Sequence, residues 1–141
     1  MTQTATTPRI AATTRAKTNS AIRPLALAVL GAAAANVVLY LLFKAAGADY
    51  ENDMLSAPVG IPNVLFMTIP AMVIGLTAVA LLSRRSPKVL TVGRWAGVVL
   101  ALATIAMTAS AGFETLSFVA LALMHVVVAI AVYRGLGAIK R

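Results

Sequence analysis

The sequence predicts an all-α membrane protein: four transmembrane helices in an up-down-up-down bundle with both termini on one side. Three observations predict it. Of 141 residues, 60% are hydrophobic and 11% are charged, whereas soluble domains carry roughly 25% charged residues. The apolar residues gather into four runs, each about 20 residues long, or ~30 Å as a helix, which matches a hydrocarbon core. The charges between the runs sort by sign. A chain of this length has room for one domain, and with no cysteine it has neither a disulfide framework nor a thiolate metal site.

Residues 1–23 are rich in Thr, Ala and Arg and hold no acid and no long apolar run, a composition that cannot bury enough surface to pack. They read as a disordered basic cytoplasmic tail preceding a transmembrane domain over 24–136. The first span is 24–43. Pro24 suits a first helical position, Lys44 falls in the last turn near the negative end of the dipole, and Gly47 suits the C-terminal cap. A secretory signal peptide is the competing reading, since a basic stretch, the apolar Pro24 to Leu30 and the small residues Ala32 to Ala35 follow in that order. The apolar run continues to Phe43, as a span does.

A polar loop, 44–63, follows with Asp49, Glu51 and Asp53, the turn formers Gly60 and Pro62, and Asn63 placed as an N-cap. The second span is 64–82 and carries Pro70, whose ring frees a carbonyl one turn earlier. Arg84, Arg85, Lys88 and Arg94 make a basic hairpin in which Pro87 stops the helix. The third span is 95–112, with Trp95 at its mouth where an indole prefers the interface. Glu114 precedes the fourth span, 116–133, on the favourable side of its dipole. A second basic tail occupies 137–141. Only Phe113 to Thr115 separates spans three and four, so these must be antiparallel neighbours.

Positive-inside counting orients the spans. Arg9, Arg15, Lys17 and Arg23, then Arg84, Arg85, Lys88 and Arg94, then Arg134, Lys140 and Arg141 fall on one side, and Lys44 with all four acids falls on the other. The expectation is N-in and C-in in a cell membrane, with the acidic loop outside. The net charge of +8 is thereby explained as topogenic. No nucleic-acid partner is expected, because the bases are not interleaved with aromatics and no recognition module is present. The bilayer is the expected partner, with anionic lipids attracted by the basic tail, together with a homo-oligomer contact or another membrane protein.

Helices in lipid associate through small residues and polar contacts. Gly31 with Ala35, Ala71 with Gly75, and Gly97 with Ala101 supply small-xxx-small pairs in the first three spans, and left-handed crossings near +20° are expected. Asn36 lies mid-span, so its amide must find partners. Counted from the basic flanks it shares a level with Pro70, which predicts donation from the Asn36 amide to the freed Phe66 carbonyl. His125 is the only histidine and the one titratable group well inside a span. A candidate intramembrane polar site therefore comprises His125, Asn36, Thr104 and Thr108, with Thr77 also in reach. Neutral His125 would bond a threonine or backbone, whereas a proton- or ligand-handling His125 would need an ionisable partner that the spans lack.

Asp49, Glu51 and Asp53 alternate closely enough to gather a cation, yet there is no turn glycine or fuller ligand spacing, and a solvated acidic loop is the simpler reading. No metal, cofactor or catalytic constellation is expected: no nucleophile stands beside a base, and no phosphate-cradling glycine loop is present. An enzyme is not expected.

The stretches AANVVLYLLFKAAG (Ala34 to Gly47) and LALMHVVVAI (Leu121 to Ile130) resemble the first and last spans of a family of uncharacterised, small four-helix membrane proteins common in actinobacteria. The resemblance runs from Pro24 to Leu136, and the Leu-Met-His run is its most specific part. It implies a bacterial cell membrane and four spans, with Asn36 and His125 as the polar positions that fit, and implies no activity. The expected function is structural or accessory. One alternative is a small transporter or pH-responsive permeation protein using His125, and another is a lipid-binding or sensor partner protein.

Overall fold

The computed structural model describes residues 9–52 and 57–139, with side chains from Ile22 onward. The helices are α1 (Arg9–Ala45), α2 (Ile61–Leu82), α3 (Lys88–Ala109) and α4 (Thr115–Gly137). All are long and apolar enough to cross a membrane, α1 from Ile22 onward, and there is no strand among the described residues. The predicted fold class is the observed one. Asp53, Lys140 and Arg141, and the side chains of Arg9, Arg15 and Lys17, lie outside what is described.

Several boundaries depart from expectation, each for a local reason. The backbone of residues 9–23, expected as a disordered tail, is helical and continuous with the first span. This stretch is Ala-rich with no Gly or Pro, and a segment joined to an existing helix needs only propagation rather than nucleation. Pro24 therefore lies inside α1 instead of at its first turn. α2 starts at Ile61 with Gly60 as N-cap and Pro62 in the first turn, so Asn63 is helical and is not the cap. The fixed φ of proline suits that early position. α3 begins at Lys88 with Pro87 as its N-cap. The basic hairpin is thus shorter than expected, and Lys88 and Arg94 are helical residues.

The C-terminus of α1 follows its predicted chemistry. Gly47 adopts φ +106°, its N–H donates to the Lys44 carbonyl at 3.1 Å, and the Ala48 N–H donates to the Phe43 carbonyl at 2.9 Å. This is a Schellman motif, and Ala48 packs with Phe43 as that motif favours. Glu114 caps α4, its carboxylate accepting from the Ser117 N–H.

Around the bundle, α1 packs on α2 and on α4, and α4 packs on α3. The α2–α3 side is slight, and α1 and α3 do not touch among the described residues. Close approach depends on small residues. A Cβ at Gly97 would come within 2.6 Å of the Val132 side chain, and one at Gly135 within 2.7 Å of the Ala28 Cβ. The Gly97/Ala101 pair therefore sits at an interface as expected. Gly31 and Gly75 meet nothing within 4 Å, so those two pairs do not mediate contacts within the chain. α2 and α3 meet near their hairpin, where a Cβ at Gly93 would strike the Val79 side chain.

Two apolar clusters result. One, near the 83–87 hairpin, joins Val29, Ala32, Met72, Leu76, Val132, Leu136 and Ile139. The other, near the 46–60 loop, joins Ala48, Tyr50, Val64, Ala120, Leu121 and Met124.

Candidate functional site

Asn36 is 2% exposed, as an amide in a span should be, because hydrocarbon offers it no hydrogen bond. Its Nδ2 donates to the Thr68 hydroxyl at 3.1 Å. The contact to α2 is therefore present, but the expected acceptor was the Phe66 carbonyl. The reason is helical geometry. Residues four apart share a face, and Pro70 is exposed while Phe66 is 70% exposed, so the carbonyl freed by Pro70 lies on the outward side. Thr68, by contrast, lies in the buried stripe of Val64, Thr68, Met72 and Leu76. The Asn36 Oδ1 is buried without a partner.

His125 is part-buried, and its Nδ1 lies 2.7 Å from the Leu121 carbonyl. A carbonyl can only accept, so Nδ1 is the donor in this contact. This is the backbone partner that was expected. The threonines are engaged elsewhere: Thr104 donates to the Ala101 carbonyl at 2.6 Å and Thr108 to the Thr104 carbonyl at 3.0 Å. Thr77 is exposed and faces away from the site.

Packing contacts fix how these groups line up. From the Gly97–Val132 contact, two turns along each helix lead to Thr104 on α3 and His125 on α4. From the Ala28–Gly135 contact, His125 is level with Val38 of α1, so Asn36 lies ~3 Å away in depth. Asn36, Thr68, Thr104 and His125 thus form a polar layer about one turn thick across all four helices. Among them only Asn36 and Thr68 are joined directly.

A second polar assembly, which sequence reasoning missed, closes the end that carries the 46–60 loop. Ser117 is fully buried. Its hydroxyl donates to Asp49 Oδ1 at 3.0 Å and accepts from the Tyr50 N–H at 3.0 Å. The Asp49 carboxylate also accepts from the Glu51 N–H at 3.1 Å, an Asx turn, and the Lys44 ammonium donates to the Asp49 carbonyl at 3.2 Å. Tyr50, held at φ +61°, is fully buried, stacks on Tyr40 with ring centroids 4.5 Å apart and donates its hydroxyl to the Tyr40 carbonyl at 3.2 Å. The hydrogen bonds from Glu51 and then Ser117 hold the Asp49 carboxyl below its usual range. Burial, with Tyr40 adding to it, pushes the Tyr50 phenol up to about 12. Asp49 is thus a structural acceptor. Among the described residues no group of acids and histidines could hold a metal.

At the opposite end the basic residues differ in exposure. Arg23, Arg84, Arg85, Lys88 and Arg134 are exposed, while Arg94 is part-buried and lies over the Tyr133 ring, 4.0 Å from its centroid. Trp95, expected at the mouth of a span, lies two turns inside α3 and meets Tyr133 edge-on at 5.5 Å.

Residues 16–141 match the model of a family described as one of unknown function. No curated protein and no solved structure matches.

Proposed function

The chain belongs to this family, DUF6069, a family of unknown function, and we propose that it is a non-enzymatic integral membrane protein of structural or accessory role. It would lie in a bacterial plasma membrane, with both termini and the 83–87 hairpin in the cytoplasm and the acidic loop outside. One observation carries the role: the donors of the interior polar groups are spent on the chain itself, one of them across two helices, with only the Asn36 Oδ1 left over. Asn36 bonds Thr68, Thr104 and Thr108 bond their own backbone, and His125 bonds Leu121. No Asp, Glu or Lys accompanies His125 at that depth. A proton path needs a second ionisable group, so the layer suits helix association better than transfer. The sorting of Arg23, Arg84, Arg85 and Arg134 to one end, with Asp49, Glu51 and Glu114 at the other, supports the orientation.

The absence of cysteine makes both parts testable by single substitution. In intact spheroplasts a membrane-impermeant maleimide should label Glu51→Cys and spare Arg85→Cys, and the reverse pattern would overturn the orientation. In proteoliposomes under an imposed pH gradient, wild type and His125→Ala should leak protons equally. A flux that depends on His125 would replace the accessory role with permeation.

A further inference from the structure

The end of the bundle bearing Arg94 holds no carboxylate among the described residues, since Asp49, Glu51 and Glu114 all lie at the other end. Arg94 differs from the other cations there. It sits six residues beyond Lys88 in α3, ~9 Å further into the bundle, and its side chain is fixed by packing. The guanidinium lies over Tyr133, and a Cβ at Gly137 would come within 3.0 Å of its Cζ and Nη2. A side chain there would press on the group where it crosses α4. Its Nε is buried and has no hydrogen-bond partner. Beside it the indole of Trp95, 57% exposed, touches the edge of the same Tyr133 ring. Further along the same surface, Val99 and Ile130 are exposed apolar side chains.

A guanidinium offers a planar fork that matches two phosphate oxygens. Here the fork is packed against Tyr133 and Gly137, has no counter-ion among the described residues, and adjoins an exposed indole. We propose that Arg94, held across Tyr133 and Gly137, binds the phosphodiester of an anionic phospholipid, with Trp95 against the headgroup and acyl chains lying along Val99 and Ile130. This differs from the diffuse attraction that any exposed basic flank exerts on an anionic leaflet, because the site depends on the geometry of one residue.

Trp95 is the only tryptophan and reports on the site directly. The full chain in detergent would be titrated with phosphatidylglycerol or phosphatidylcholine carrying brominated acyl chains, and the quenching of tryptophan fluorescence followed. Wild type should prefer phosphatidylglycerol roughly tenfold: both lipids offer the phosphodiester, but the choline cation of phosphatidylcholine pairs with its own phosphate and is repelled by the guanidinium. Arg94→Lys keeps the charge and loses the fork, and Gly137→Ala keeps Arg94 and displaces it; each should cut the preference several-fold. Arg85→Ala should leave it intact. Equal quenching by the two lipids, or undiminished preference in both variants, would overturn the proposal, as would an equal loss in Arg85→Ala. Inorganic phosphate without lipid should not compete at millimolar concentration, and full competition would make the ligand a free anion instead of a lipid. Should Arg94→Lys not fold, Gly137→Ala alone decides.

Discussion

At the end carrying the 46–60 loop, Ser117, Asp49, Tyr50 and Lys44 satisfy one another through hydrogen bonds, whereas at the hairpin end Arg23, Arg84, Arg85 and Arg134 are exposed and no carboxylate lies there among the described residues. Both ends flank the same four helices and both are polar. The first is completed by the protein, with a fully buried tyrosine as its plug. The second leaves its charges for whatever surrounds it, and only Arg94 has a fixed seat. Polar sequence at a helix end can therefore be folded structure or solvated flank. The difference lies in whether a buried partner such as Ser117 waits on another helix.

Removing the plug should break the contrast most. Tyr50→Ala empties a site of full burial and should cost about 3–5 kcal/mol, as other large-to-small aromatic changes do. Unfolding in detergent by heat or denaturant measures this, and a loss below ~1 kcal/mol would mean that the loop is only a covering. Ser117→Ala leaves the Tyr50 N–H unpaired and should cost about 1–3 kcal/mol, with faster proteolysis within the 46–60 loop as a local readout. Between the ends, a double-mutant cycle of Asn36→Leu and Thr68→Val should give a coupling of about 0.6 kcal/mol and at most ~1.7 kcal/mol, the range found for hydrogen bonds between membrane helices. A coupling of zero would reduce the pair to coincidental proximity. At the hairpin end, Arg85→Ala should change stability by less than about 0.5 kcal/mol, as exposed positions do.

The smallest effects are those of pH, and they too separate the ends. Asp49 is lowered in the folded protein from its ordinary 3.8, so what it contributes is present above that value and lost as pH falls below it. Tyr50 is raised from 10.0 to about 12, so its contribution is complete below pH 10 and lost as pH climbs toward 12. Loop protection from amide exchange should weaken at both extremes while the hairpin end is unchanged, and a symmetrical response would remove the distinction.

Much of the architecture was legible because its causes are local. Apolar runs of membrane length, Gly47 as a C-terminal cap and Glu114 at the head of α4 each depend on a few neighbouring residues, whereas Pro87, read as a stop, opens α3 as its N-cap. Asn36 was legible as a buried amide on the α2 side. Its acceptor was not, since that required knowing that Pro70 and Phe66 face outward and Thr68 inward. The Ser117 assembly left almost no sequence signal: its members are 67 or 68 positions apart, and a serine in the first turn of a helix has many other uses. Tyr50, a lone aromatic between acids, was the nearest thing to a clue. Over residues 9–23 the backbone helix was missed because composition speaks to packing, whereas extending an existing helix needs only propagation.

The partnership of α1 with α4 bears on how the chain is made. α1 leaves the ribosome before α4, and Gly135, which admits Ala28, is reached only after the first three helices have been made. During translation α1 has α2 as a companion, and the Asn36–Thr68 bond shelters the amide from lipid long before the bundle closes. A nascent chain arrested after Ala109 should accordingly hold an inserted but loosely associated α1–α2 hairpin, and crosslinks between Ala28 and α4 should form only once α4 has been made.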